Sequence, residues 1–236
     1  MGEIAEHFHA VEREIEAAKE RRSAGRDEPV SLIAVTKNHG VEVMREAIDA
    51  GAAIIGENRV QEAAQKKETL ERSVSWHLIG HLQTNKAKQA VRLFDLIHSV
   101  DSEHLLTAVN EAAQKIHKVQ DILIQVNLAK EDSKFGIYKE DLPILLQKAD
   151  MMKNVHLMGL MCIAPNYEDV EECRPLFREM REIFDRLKEF PLFSSEMRYL
   201  SMGMTHDYQI AVEEGANLVR VGTAIFGARQ YYTNRS

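Results

Sequence analysis

The stretch Ser31-Leu32-Ile33-Ala34-Val35-Thr36-Lys37-Asn38-His39-Gly40 decides the architecture. Its first half is a short aliphatic, β-branched run of the kind that makes a buried strand. Its second half contains no G-x-G-x-x-G turn. An open doubly wound sheet normally takes a phosphate with such a glycine-rich turn after its first strand, so the stretch argues against that fold. Seven similar runs follow, at Ala53 to Gly56, Trp76 to Gly80, Leu96 to Val100, Ile122 to Val126, Leu157 to Cys162, Tyr199 to Met202, and Asn217 to Val221. Most lead into a helical pattern. Val41 to Ala50 carries Val43, Ala47 and Ile48. Ser102 is placed to cap a helix bearing Leu105, Leu106, Val109, Ala113 and Ile116. Val170, Cys173, Leu176, Phe177, Met180, Phe184 and Leu187 form the clearest amphipathic stripe. Strands alternating with helices imply right-handed crossovers and a parallel sheet, and eight such units predict a closed (β/α)8 barrel. An earlier amphipathic helix, with Ile4, Phe8, Val11 and Ile15 on one face and its end expected at Ser23-Ala24-Gly25, lies outside the eightfold scheme.

The 236 residues suit one such domain: an N-terminal helix within residues 1–25, a barrel over 30–228 and a short tail at 229–236. The chain is an ordinary globule, 44% hydrophobic and 28% charged, with a net charge of −7 and no long block of one sign. That balance argues against nonspecific nucleic-acid or anionic-membrane binding. Two cysteines, Cys162 and Cys173, make no disulfide framework, and the acidic amino terminus does not read as a signal peptide. With no apolar run near ~18 residues, the expectation is a monomer kept in the cytoplasm.

In a barrel of this kind the site lies at the C-terminal ends of the strands. Lys37 shares alternation parity with Ile33 and Val35, so it is expected on their face, where partial desolvation favours a neutral, nucleophilic amine. The same position also suits a lysine that snorkels into solvent. Arg220 lies inside the last apolar run and needs a buried partner, for which a core carboxylate is one candidate. Ser201-Met202-Gly203 and Gly222-Thr223 end the last two strands, the frequent phosphate site of barrels. His77 and His81 have metal-ligand spacing only on a helix, whereas their segment reads as a strand, so no metal is expected. His206 and Asp207 fit either a supporting role behind the site or a helix-capping turn. A rim lysine, a buried arginine and a hydroxyl-rich phosphate nest together match pyridoxal 5′-phosphate (PLP), which offers an aldehyde, a ring nitrogen and a phosphate.

Several blocks carry a resemblance: Ala34-Val35-Thr36-Lys37, the GENxxQE block at Gly56 to Glu62, the WHxIGHLQxNK block at Trp76 to Lys86, and His98-Ser99-Val100-Asp101-Ser102. Lys134-Phe135-Gly136, Gly159-Leu160-Met161, Leu200-Ser201-Met202-Gly203-Met204 and Val219 to Gly227 continue it in order. On these the chain resembles the pyridoxal phosphate homeostasis proteins, PLP-binding barrels related to the N-terminal domain of alanine racemase. The resemblance implies a Schiff base between Lys37 and PLP, with Arg220 facing the pyridine nitrogen. It also implies phosphate contacts from Ser201, Gly222 and Thr223, with Met202 and Asn58 nearby. Its departures are Asn38 where threonine commonly follows the lysine, Arg59 where tyrosine often follows GEN, and Thr205 where serine is frequent. The implied role is to hold PLP, and to buffer it or deliver it to apo-enzymes. Efficient racemisation is not expected, because a two-base racemase needs an acid on each face of the substrate carbanion. In the racemase the second base, a tyrosine, comes from a further C-terminal domain. Here thirteen residues follow Thr223, with Tyr231-Tyr232 among them.

Overall fold

The computed structural model describes residues 2–131, 133–189 and 196–227. Eight parallel strands close into a barrel in chain order: β1 (Ser31–Val35), β2 (Ile54–Glu57), β3 (Ser75–Leu78), β4 (Leu96–Val100), β5 (Gln120–Val126), β6 (Val155–Cys162), β7 (Tyr199–Met204) and β8 (Leu218–Val221). Closure is made where β8 pairs with β1, placing Ile33 opposite Arg220. All eight runs read from the sequence are strands.

Along each strand alternate residues enter two different cores, as the period of two requires. Ile33, Val35, Ile79, Leu96, Leu123, Met158, Met161 and Leu218 fill the barrel interior. Their neighbours Ala34, Leu78, Ile97, Ile122, Leu160, Leu200 and Val219 belong to the larger core shared with the surrounding helices. Those helices are α2 (Val41–Asp49), α3 (Val60–Thr69), α4 (Ala87–Leu93), α5 (Glu103–Gln114), α6 (Leu142–Asp150), α7 (Arg174–Lys188), α8 (Tyr208–Glu213) and α9 (Thr223–Phe226). Ser102 caps α5 as expected, accepting the Leu105 N–H at 3.3 Å. The stripe of α7 is buried at Phe177, Met180 and Phe184. β6 carries a bulge at Gly159, whose φ of +145° and contact with the Tyr199 carbonyl leave no room for a side chain.

The helix α1 spans Glu3–Glu20 and buries Phe8, Val11, Ile15 and Ala18. It stops short of the expected Ser23-Ala24-Gly25. Arg22, 2% exposed, donates to the carbonyls of Val212, Gly25, Glu28 and Ala216, and so draws the chain off the helix axis. Gly25 is left-handed (φ +63°), but it serves the next turn, in which the Glu28 N–H bonds its carbonyl. The tail at 229–236, Tyr231 and Tyr232 included, lies outside the described residues.

Candidate cofactor site

Polar side chains share the barrel interior with the apolar ones. Arg220 on β8 is 3% exposed and donates from Nη1 to Ser201 Oγ (2.5 Å) and from Nη2 to the Cys162 carbonyl (2.8 Å). Ser201 Oγ lies 3.0 Å from His98 Nδ1, and His98 Nε2 lies 3.1 Å from His77 Nδ1. Four strands thus contribute side chains to one buried column, and β6 a carbonyl. A guanidinium only donates, so Ser201 accepts from it and has one proton left to give. Donation to His98 Nδ1 leaves His98 with its proton on Nε2, aimed at His77 Nδ1, and satisfies each contact in turn. Burial pushes the His77 pKa down to about 4. Burial first, then His77 and Arg220, push that of His98 well below its ordinary value. Both rings are therefore neutral near pH 7.

The arginine has no carboxylate within ion-pair distance among the described residues, contrary to the core ion pair the sequence allows. Burial lowers its pKa, yet a guanidinium stays charged. A buried cation held by neutral acceptors is a site that favours an electron-rich ligand atom.

At the mouth, Lys37 sits half-buried in the turn after β1, beyond the inward-facing Ile33 and Val35. Asn58, also half-buried, follows β2. It lines a cleft of about 420 Å³ together with Arg59, Gly80, His81 and Lys86. Gly80 has no space for a side chain, because a Cβ there would lie 2.4 Å from the Asn58 carbonyl oxygen. Gly222 ends β8 against β1, where a Cβ would meet the Val35 carbonyl oxygen at 3.3 Å. Its N–H donates to Thr205 Oγ1 at 3.3 Å, and Thr223 is exposed beside it. The His39 and Phe226 rings, 5.0 Å apart, join the Lys37 turn to α9.

The structure separates the expected residues into three groups. Lys37, Asn58, Gly222 and Thr223 stand at the strand ends. Ser201 lies deeper, fully buried and committed to Arg220 and His98. Met202 points the other way, into the core shared with the helices, because its parity on β7 is opposite to that of Ser201. Thr205, noted in the sequence only as a departure, occupies the nest beside Gly222. Its position one residue beyond β7 was the signal available for it.

The remaining candidates also have definite places. His77 faces His98 inside the barrel, whereas His81 stacks on Phe135 at 3.7 Å and faces Asp101 at 3.9 Å, so the two are not a pair. No group of three or more potential metal-ligating side chains occurs among the described residues. His206 is exposed, and Asp207 folds back to accept the Met204 N–H at 2.5 Å, bracing the turn into α8. Cys162 and Cys173 are buried free thiols whose pKa values burial pushes up to about 12 and about 11, as befits core packing. Among the described residues no helix is long and apolar enough to cross a membrane.

This fold and this arrangement define a class. The family model described as the alanine racemase N-terminal domain matches residues 7–230. Solved racemases share the fold: the alanine racemase of Streptomyces lavendulae, at 18% identity, superposes with a TM-score of 0.66 over 94% of this chain and 58% of its own. Within the class the relatives are specific. A pyridoxal phosphate homeostasis protein of Aquifex aeolicus is 42% identical over 96% of this chain and 98% of its own, and that of Escherichia coli K12 is 37% identical over 98% and 99%. PipY of Synechococcus elongatus PCC7942, solved with PLP bound, is 37% identical and superposes with a TM-score of 0.82 over 95% of this chain and all of its own. The chain belongs to the pyridoxal phosphate homeostasis protein family.

Proposed function

We propose that this protein binds PLP in the mouth of its barrel and holds it in reserve for PLP-dependent enzymes. The observation that carries the reading is Arg220, a buried cation with neutral partners on β8, the strand paired with β1, after which Lys37 follows. The residues present fit the cofactor. Lys37 supplies the amine for a Schiff base with the aldehyde, Arg220 a donor for the ring nitrogen, Thr223 and Thr205 two hydroxyls for the phosphate, and Gly222 an N–H that would turn from Thr205 Oγ1 to reach it. Asn58 flanks the ring, and Ser201 serves by holding Arg220.

When bound, PLP supplies an electron sink whose strength depends on protonation of its ring nitrogen. Arg220 cannot accept a hydrogen bond, so the nitrogen opposite it must accept and stays unprotonated. This restrains carbanion chemistry and favours storage over catalysis. On this reading the protein is not an enzyme. It works in the cytoplasm as a monomer and passes PLP to apo-enzymes.

The purified protein incubated with PLP is expected to be yellow, and Lys37→Ala to abolish the visible band. Unchanged visible absorption in that variant refutes the assignment of Lys37. Transfer of PLP to an apo-enzyme, followed by the recovery of that enzyme's activity, tests delivery directly.

A further inference from the structure

Beneath the Lys37 turn lies a cluster of buried charge. Lys66, on α3, is 7% exposed, and its ammonium has three acceptors: the Thr36 carbonyl at 2.8 Å, Glu57 Oε1 at 2.7 Å and Glu62 Oε1 at 2.6 Å. An ammonium has three protons, so each is assigned. The Thr36 hydroxyl donates to the same Glu57 oxygen at 2.5 Å, and Glu62 Oε1 also accepts the Asn38 N–H at 2.6 Å. The residues on both sides of Lys37 are thereby tied to one cluster, Thr36 by its carbonyl and hydroxyl and Asn38 by its N–H.

Two features indicate that the arrangement is retained for more than packing. Asn38 is left-handed (φ +63°), a conformation that must be held in place in a residue other than glycine. Glu57 is fully buried with Oε2 unpartnered, a cost that a well-packed apolar cluster would not carry. The cluster also accounts for the two glutamates of the GENxxQE block, neither of which is placed to touch the cofactor in the reading above.

We propose that Lys66, with Glu57 and Glu62, is a positioning device for Lys37, fixing the turn so that the amine is presented to the aldehyde of PLP. The proposal rests on the reading of Lys37 as the Schiff-base lysine. The nitrogen lone pair of the neutral amine adds to the aldehyde carbon, the C=N bond replaces C=O, and the oxygen leaves as water with the two amine protons. No oxidant or reductant enters. A turn that is free to move presents the amine in fewer productive geometries, and misplacement by about 1 Å costs up to roughly 100-fold in such reactions.

The test compares the wild-type chain with two variants. Glu62→Ala removes the anchor of Asn38 at a part-exposed position. The double variant Lys66→Met with Glu57→Gln removes both buried charges together, so neither is left unpaired. Each is titrated with PLP and with pyridoxine 5′-phosphate, which has the same ring and phosphate without the aldehyde. The expected result is a loss of roughly tenfold or more in PLP affinity and in the rate at which the visible band appears. Affinity for pyridoxine 5′-phosphate is expected to stay the same. Equal losses for both probes, or no loss for either, overturn the proposal. Borohydride trapping in the wild-type chain separates the two readings: label on another lysine refutes the site assignment and the proposal with it, whereas label on Lys37 with unaltered variants refutes the proposal alone. Should the double variant fail to fold, Glu62→Ala carries the test.

Discussion

Ser201 and Ser99 make a matched pair for measuring the buried column. Both are fully buried serines, yet Ser201 Oγ bonds Arg220 and His98 while Ser99 Oγ has no partner. Ser201→Ala removes an acceptor from a guanidinium, a contact that contributes ~1.5–3 kcal/mol, and leaves His98 Nδ1 without its donor at a further cost of ~1 kcal/mol or more. The expected destabilisation is therefore about 2.5–4 kcal/mol, a fall in Tm of roughly 5–16 °C for a chain of this size. Ser99→Ala removes a hydroxyl that has lost its water and gained nothing, so its effect lies between nil and a gain of about 1 kcal/mol. Denaturant unfolding of both variants measures the difference, and a PLP titration shows whether Arg220 has been displaced. The two variants agreeing within about 0.5 kcal/mol would refute the accounting, because it assigns the whole difference to the bonds that Ser201 makes.

Further outcomes follow from the same contacts. His77 has a folded pKa of about 4 against an ordinary 6.5, so the unfolded chain takes up the proton first. The stability this provides is complete above pH 6.5, is lost as pH falls towards 4 at up to ~1.4 kcal/mol per pH unit, and loses nothing more below that. His77→Gln should flatten this part of a pH–stability curve, and an unchanged slope would contradict the buried neutral ring. Gly159→Ala would put a Cβ 1.9 Å from the Tyr199 carbonyl at a φ of +145°, and is expected to unfold the barrel or lower its stability by more than ~3 kcal/mol. Soluble protein with wild-type Tm would show that the bulge is not needed. With alanine added, racemase turnover is expected near background; values in the ordinary enzyme range of ~1 to 10³ per second would overturn the storage reading.

Much of this protein is legible in the order of its residues. Periodicity is local, so the eight strands, the cap at Ser102 and the amphipathic stripe of α7 could each be read from a few neighbouring positions. The end of α1 could not, because Arg22 is drawn away by carbonyls almost two hundred residues further along the chain. The same division runs through the site. Lys37, Asn58, Gly222 and Thr223 could be read as strand ends, since position along a strand is a local property. Parity alone separates Ser201 from Met202, but that Ser201 is Arg220's partner depends on the pairing of β7 with β8. Lys66 shows the limit most clearly. In the sequence it is one of two adjacent lysines on a polar helix, and only the packing of α3 against the ends of β1 and β2 turns it into a buried cation with three acceptors. The sequence by itself determined the barrel and the residues at its mouth, because both follow from local periodicity. The tertiary structure decided which charges are buried together, because desolvation and pairing depend on segments brought into contact only by closure of the sheet.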